Sequence, residues 1–257
     1  MGIPFYKYQG TGNDFIMIDN RQGIFPKNDT KLVNTMCDRK FGIGADGLIL
    51  LEDHPVLDFT MVYYNADGNP SSMCGNGGRC IVAFAERLNI IGDDVRFMAV
   101  DGEHEARIEN DKVFLKMIDV PAVENHGGHL FVNTGSPHHI ELVDDLAGFH
   151  VRERGAAIRY GALYGTAGSN VNFVEEKTDG FALRTYERGV EDETLSCGTG
   201  ATAVALAMDS LGKVNGRSVV IYVEGGKIEV GFVKKDSGYE DIYLIGPAEM
   251  VYEGVWP

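Results

Sequence analysis

Two stretches of the chain, Phe59-Thr-Met-Val-Tyr-Tyr-Asn65 and Gly180-Phe-Ala-Leu-Arg-Thr-Tyr-Glu187, alternate buried-type with other side chains and end in a polar residue before a turn, the pattern of a half-buried β-strand. Each is followed by a run without alternation. Residues 75–90 carry Ile81, Val82, Phe84 and Leu88, and residues 198–212 carry Val204, Leu206, Met208 and Leu211, so both are apolar nearly all round at helical spacing. A helix of that kind is buried on every side. Short β-branched segments follow each helix: residues 95–99, 105–109 and 113–117 after the first, 218–223 and 227–233 after the second. Gly, Asp and Asn separate them as in hairpins. The pattern predicts an α+β fold of two pseudo-symmetric lobes, each a curled, mostly antiparallel sheet around a central buried helix, with a cleft between the lobes.

The likeness of the halves extends to the residues. Cys74-Gly-Asn-Gly-Gly-Arg79-Cys80 and Cys197-Gly-Thr-Gly-Ala201 align without a gap at the two helix starts, with a period of 197 − 74 = 123 residues, close to half of the 257-residue chain. Two copies of one domain are the simplest reading.

Composition narrows the class of partner. There are 38 acidic and 23 basic residues, a net charge of −15, and a surface that acidic repels a phosphate backbone. Nucleic-acid binding is not expected. No apolar run approaches the about 18 residues of a membrane span, and the first residues lack the charged-then-apolar order of a signal peptide, so a soluble cytoplasmic protein without a membrane partner is expected. Cys37, Cys74, Cys80 and Cys197 are too few for a disulfide scaffold and form no CxxC pair.

The chemistry lies at the two cysteines that open the helices. A thiol at a helix N-terminus feels the positive end of the helix dipole and the first-turn N–H groups, which favour thiolate. Glycines after it let a ligand approach those N–H groups, which suit a carboxylate. Inverting a carbon requires a proton to leave one face and another to arrive on the opposite face. Two monoprotic thiols, one ionised and one neutral, can do this reversibly without a cofactor. Cys74 and Cys197 are therefore the expected acid and base of a cofactor-independent amino-acid epimerase. The bland alternative, that both are core cysteines at helix caps, suits one motif better than two in register. Cys37 and Cys80 lack such a context and read as structural.

Other motifs carry less. Gly42-Ile-Gly-Ala-Asp46-Gly47 matches GxGxxG, but a strand-like run, residues 48–52, follows it where a dinucleotide site needs a helix. The loop from Gly10 to Asp14 has no P-loop lysine. No histidine spacing, including the adjacent His138 and His139, suggests a metal.

Taken together, Lys7-Tyr-Gln-Gly-Thr-Gly-Asn-Asp-Phe15, Tyr64-Asn-Ala-Asp-Gly68, Met73 to Cys80, Gly135-Ser-Pro-His138, Asn170-Val-Asn-Phe173, Tyr186-Glu-Arg-Gly189 and Glu193 to Gly200 resemble diaminopimelate epimerase. The resemblance covers essentially the whole chain. It implies interconversion of LL- and meso-2,6-diaminopimelate, a step feeding lysine and peptidoglycan synthesis, without pyridoxal phosphate or metal, and a homodimer as a family-level expectation. It implies a first lobe of residues 1–118 joined by the C-terminal strand 247–257 and carrying Cys74, and a second lobe of residues 119–246 carrying Cys197. It assigns Cys74 and Cys197 as the acid/base pair. Asn13, Asn65, Asn76, Asn170, Glu187, Arg188 and Thr199 become substrate contacts, with the N–H groups of Gly75 and Gly198, and His138 and Glu187 become groups that tune the thiols.

Two positions depart from the family pattern. Gly47 stands where many members have glutamine, and Ser136 where many have asparagine; both shorten a polar side chain near the expected distal pocket. Proline or hydroxyproline epimerase, with the same paired cysteines, is the runner-up, against which the Gly-Asn-Asp-Phe and Tyr-Glu-Arg-Gly segments argue. A non-catalytic amino-acid-binding protein is the alternative from another class.

Overall fold

The computed structural model describes residues 2–257, and the chain divides into two compact units, residues 1–115 with 246–257, and residues 116–245. In the first unit, β1 (Ile3–Gly10) pairs antiparallel with β2 (Asn13–Asp19). Helix α1 (Thr30–Cys37) then carries the chain over to β3 (Gly47–Glu52), which lies parallel to β2 with Phe15 opposite Gly47. Strand β4 (Phe59–Asn65) turns back along β3. Helix α2 (Gly75–Arg87) makes a second crossover to β5 (Asp94–Ala99), parallel to β4, and the hairpins to β6 (Gly102–Glu109) and β7 (Lys112–Lys116) complete the run. Parallel neighbours need such crossovers, and helices supply both.

The second unit repeats this order. Strands β8 (Glu124–Asn125) and β9 (Leu130–Asn133) lead antiparallel into β10 (Pro137–Leu142), and α3 (Val151–Arg159) crosses to β11 (Asn170–Lys177), parallel to β10 with His138 opposite Asn170. Strand β12 (Gly180–Glu187) returns and is followed by the short β13 (Asp192–Thr194). Helix α4 (Gly198–Ser210) then crosses to β14 (Ser218–Val223), parallel to β12, and β15 (Gly226–Lys235) and β16 (Gly238–Gly246) follow as hairpins. The last strand, β17 (Glu249–Trp256), pairs antiparallel with β1 in the first unit.

The α+β reading holds, and strand pairing within each unit is mostly antiparallel. Helix α4 buries every residue from Gly200 to Met208 in a core with Val174, Phe181, Leu183, Ile221, Val230 and Leu244. In the first unit α2 packs on β1, β2, β3 and β17. That helix is less apolar than its sequence pattern implies, since Asn76 and Arg79 are buried with Ile81, Val82 and Phe84.

Both helices stop slightly before the expected ends of 90 and 212, and for one reason. After the C-caps Leu88 and Leu211 come Asn89 and Gly212 in left-handed conformation, φ 55° and 70°. The N–H of Asn89 reaches Glu86 O (2.8 Å) and that of Ile90 reaches Ala85 O (3.2 Å); Gly212 and Lys213 bond Asp209 O (2.9 Å) and Met208 O (3.0 Å) in the same way. These are Schellman terminations. Asn89 and Gly212 are separated by the same interval as Cys74 and Cys197, so the duplication spans each helix from first cap to last.

Helices α1 and α3 have no clear counterpart in the hydrophobic pattern of the chain. Helix α1 is held at its start by the Asp29 carboxylate, which accepts from the Leu32 N–H (2.9 Å), and α3 has no side-chain cap at all. Both are short crossover helices, of a length whose stability comes from packing rather than propensity.

Candidate active site

In each unit the strand before the buried helix ends at a polar residue, the chain turns, and a cysteine becomes the helix N-cap. Cys74 (φ −113°, ψ 128°) and Cys197 (φ −120°, ψ 108°) are both extended, and their carbonyls accept the first helical bonds from Gly78 (2.7 Å) and Ala201 (2.9 Å). Neither sulfur caps its own helix. An α-helix leaves its first N–H groups without an intrahelical acceptor. Gly75 and Gly198 open the two helices directly after the cysteines, and a Cβ on Gly200 would lie 3.3 Å from Cys197 Sγ.

Three of the expected residues of the first unit touch one another. The Cys74 thiol donates to Asn13 Oδ1 (3.5 Å), and Asn76 Nδ2 donates to the same oxygen (3.2 Å). Asn13 Nδ2 donates to Asp46 Oδ2 (2.6 Å), and Arg79 Nη2 donates to Asn76 Oδ1 (3.1 Å). Asn65 is exposed at the end of β4, opposite Gly47. Around Asp46, Arg39 bonds both Asp14 oxygens (3.0 and 2.7 Å) and Asp46 Oδ1 (2.7 Å), while Lys7 Nζ meets Asp14 Oδ2 at 2.6 Å. Burial pushes the Asp14 carboxyl up, but the bonds from Arg39 and Lys7 outweigh it and hold the pKa at about 2.

Gly47, the first departure from the family pattern, has a steric cause. A Cβ there would lie 2.5 Å from the Tyr64 carbonyl oxygen and 2.5 Å from Tyr63 Cε2. The Tyr63 ring occupies the space a longer side chain would need, and packs edge-on against Phe15.

In the second unit Cys197, 7% exposed, has Thr199 Oγ1 at 3.5 Å, and the Thr199 carbonyl accepts from Thr134 Oγ1 (3.0 Å). The Asn170 amide is engaged by the protein: Nδ2 donates to Ser136 Oγ (2.7 Å) and Pro137 O (3.1 Å), and Oδ1 accepts from the Arg188 N–H (2.8 Å). Ser136, the second departure, thus orients Asn170. Glu187 Oε2 accepts from Thr194 Oγ1 (2.9 Å), and the exposed Arg188 side chain reaches Ala167 O (3.2 Å).

His138 is fully buried. Asn172 Nδ2 lies 3.2 Å from its Nδ1 and 2.9 Å from His139 O, while Asn172 Oδ1 accepts from Thr185 Oγ1 (3.0 Å). Since the Asn172 amine can only donate, His138 Nδ1 is an acceptor and the ring is neutral with its proton on Nε2. Burial drives its pKa down to about 3. Nε2 has no hydrogen-bond partner among the described residues. Asn172 also flanks the turn at Cys197, for a Cβ on Gly200 would lie 2.7 Å from its Oδ1 and 3.3 Å from Cys197 Sγ.

Cys37 and Cys80 are buried, and burial pushes each thiol up to about 12, which keeps both protonated. Among the described residues no cluster of His, Cys, Asp and Glu could hold a metal ion, and no helix is long and apolar enough to cross a membrane. Two surface grooves, lined at α3 by Phe149, His150 and Glu153, include none of the site residues.

The residues sequence reasoning passed over are Asp46, Arg79, Asn172 and Thr185. Arg79 was the most visible, since a charged residue in the middle of a buried helix is rare unless it has work for its hydrogen-bond donors.

Solved structures place the fold in a known class. The chain superposes on a PhzF-family phenazine biosynthesis protein of Bacillus anthracis (TM-score 0.80, 13% identity, 100% of this chain and 99% of that one). It also superposes on a hydroxyproline epimerase of Agrobacterium vitis (TM-score 0.64, 14% identity, 99% and 92%). At such identities the likeness is one of fold. Sequence decides the family: the model of the diaminopimelate epimerase family matches residues 5–121 and 130–251. The diaminopimelate epimerase of Flavobacterium psychrophilum is 60% identical over 98% of this chain and 99% of its own, and that of Chlorobaculum tepidum is 46% identical over 95% and 98%. The chain belongs to the diaminopimelate epimerase family and is an isomerase, as the resemblance of its motifs implied.

Proposed function

We propose that this protein interconverts LL- and meso-2,6-diaminopimelate by a two-cysteine acid/base mechanism that needs no cofactor. The observation that carries the reading is the matched construction of its two half-sites, a cysteine N-cap on a buried helix with glycines following it, in a chain 60% identical to a diaminopimelate epimerase.

In the proposed reaction one cysteine, as thiolate, takes the α-proton and becomes a thiol. The other, as thiol, gives its proton to the opposite face of the same carbon and becomes a thiolate. Nothing is oxidised or reduced, and the next turnover starts with the roles exchanged. The α-hydrogen is far less acidic than a thiol, so the carbanion must be stabilised as it forms, for which the N–H groups of Gly75 and Gly198 at the helix starts are suited when they hold the α-carboxylate.

The remaining assignments follow from the family. Glu187 suits a substrate ammonium and Arg188 a carboxylate, with Asn13, Asn65, Asn76 and Thr199 supplying further polar contacts. Asn170, whose amide is engaged by Ser136, Pro137 and Arg188, serves the substrate by holding the turn that carries Arg188. His138 and Glu187 are assigned to thiol tuning. The reading extends to a cytoplasmic homodimer acting on a small molecule in lysine and peptidoglycan precursor synthesis, with neither nucleic acid nor membrane as partner.

The test is incubation of reduced protein with LL-diaminopimelate in D2O, without pyridoxal phosphate or metal, following α-deuterium and meso product together, with proline and hydroxyproline in parallel. Deuterium and meso product on diaminopimelate alone are expected. Exchange on the cyclic amino acids alone would replace this reading with the runner-up. No exchange on any of the three would leave a binding protein.

A further inference from the structure

The first unit contains a directed chain of amides with a branch to the candidate catalytic sulfur. Its four links are Arg79 Nη2 to Asn76 Oδ1 (3.1 Å), Asn76 Nδ2 to Asn13 Oδ1 (3.2 Å), Asn13 Nδ2 to Asp46 Oδ2 (2.6 Å), and the branch from the Cys74 thiol to Asn13 Oδ1 (3.5 Å). A side-chain amide is nearly symmetric in shape and fits its slot either way round, so its direction is set by what faces its ends. A carboxylate only accepts hydrogen bonds and a guanidinium only donates them. Asp46 at one end therefore selects the NH2 of Asn13, and Arg79 at the other selects the oxygen of Asn76. The two choices agree.

Both ends are fixed. Arg79 is fully buried, and its Nη2 also bonds Thr11 Oγ1 (3.1 Å). Asp46 is tied through Oδ1 to Arg39 (2.7 Å), its Oδ2 accepts from the Asp14 N–H (3.3 Å), and its own N–H bonds Asp14 O (3.0 Å). In the second unit a hydroxyl, that of Thr199, lies at the sulfur and can give or take a hydrogen.

We infer that Asp46 is a positioning residue: its carboxylate holds the Asn13 amide with the carbonyl oxygen, and not the NH2, toward Cys74. The inference rests on Cys74 being one of the proton-transferring groups. A carbonyl oxygen accepts from the thiol form of Cys74, whereas a reversed amide would offer N–H to the thiolate form. Asp46 thereby favours a Cys74 that carries a proton ready for delivery. Arg79 and Cys80, on its own helix, lie within electrostatic reach of Cys74, and Lys7, Asp14 and Arg39 surround Asp46.

The test is the pH dependence of Cys74 alkylation by iodoacetamide, read by mass spectrometry of the Cys74 peptide between pH 5 and 10. The proteins are the full chain, Asp46→Asn, Arg39→Gln and Asn13→Ala, each checked for fold by circular dichroism. Asp46→Asn offers both donor and acceptor to Asn13 and so releases its direction. Its alkylation midpoint is expected to move down by about half a pH unit to one unit. Asn13→Ala, which removes the oxygen, should move it the same way and serves if Asp46→Asn does not fold. Arg39→Gln loosens the ion pairs of the loop but leaves a carboxylate on the amide, and should leave the midpoint in place. An unmoved midpoint in Asp46→Asn, or an equal shift in Arg39→Gln, would overturn the inference. Deuterium exchange by the unmutated protein, run on the same samples, reports separately on whether it is an epimerase, because alkylation needs no turnover.

Discussion

His138 holds in the second unit the ladder position that Phe15 holds in the first, each being the residue of its strand that faces the opening pair of a parallel crossover, Gly47 in one and Asn170 in the other. Phe15 is packed under the start of α2, where its ring tip would lie 3.5 Å from a Cβ on Gly77. The second unit fills the corresponding layer with His138, Asn172 and Thr185. The two units therefore share the backbone plan but differ in this layer, which is apolar in the first and hydrogen-bonded in the second.

The buried histidine of the second unit bears on acid stability. The folded pKa of His138 is about 3, against 6.5 for the ordinary group. Between those values the unfolded chain binds a proton that the folded chain does not, so this group's contribution is intact above about pH 6.5 and is lost as pH falls toward 3. The slope is up to about 1.4 kcal/mol per pH unit. Urea unfolding at pH 7.5 and pH 4.5 should give a smaller difference for His138→Gln than for the unmutated protein. Equal differences would mean that other groups govern acid unfolding.

The equivalent glycines Gly77 and Gly200 should respond differently to alanine. A Cβ on Gly77 meets only the tips of Ile49, Met61 and Phe15, at 3.0, 3.4 and 3.5 Å, whereas one on Gly200 meets Asn172 Oδ1 at 2.7 Å and Cys197 at 3.3 Å. Gly77→Ala is expected to stay within about 1 kcal/mol of the original stability, where better helix propensity offsets crowding. Gly200→Ala should lose about 1–3 kcal/mol and displace the Cys197 thiol, with kcat reduced at least tenfold. Thermal unfolding and steady-state kinetics on both variants check this, and similar losses in the two would contradict it.

Restoring the family glutamine at position 47 should harm this chain. The clash of its Cβ with the Tyr64 carbonyl is with backbone and cannot be relieved by a rotamer change. Gly47→Gln is expected to cost about 1–3 kcal/mol. Adding Tyr63→Ala clears the ring and should recover only part of the loss, since the carbonyl remains. Full recovery in the double variant would show that the ring alone excludes a side chain.

Removing either proposed acid or base should stop epimerisation. Cys74→Ala and Cys197→Ala are each expected to lower kcat by more than about a thousandfold with the circular dichroism spectrum unchanged. Substantial turnover by either folded single variant would rule out the two-base scheme.

Much of the candidate site was legible in the chain because its parts are local. The Cys-Gly-x-Gly steps, the buried helices behind them and the alternating strands Phe59–Asn65 and Gly180–Glu187 each rest on neighbours within a few residues. Helices α1 and α3 were not legible, being short and held by tertiary packing. Nor was the occupation of the space over Gly47, which depends on how β3 and β4 are registered. Asn170 illustrates the difference: its place near the site could be read from its motif, but its engagement by Ser136 and Arg188 could not.

The sequence by itself determined the duplication, the buried helices and the two cysteines that open them, since strand and helix periodicities are short-range and a repeated interval is visible without a structure. Only the tertiary structure decided which way the Asn13 amide points, that Arg79 and Asp46 direct it, and that His138 is buried neutral. The physical reason is separation along the chain. Asp46 is 33 residues from Asn13, Asn76 is 63 away, and Asn172 is 34 from His138. The direction of a hydrogen bond and the cost of burying a charge depend on which groups folding brings together over such distances.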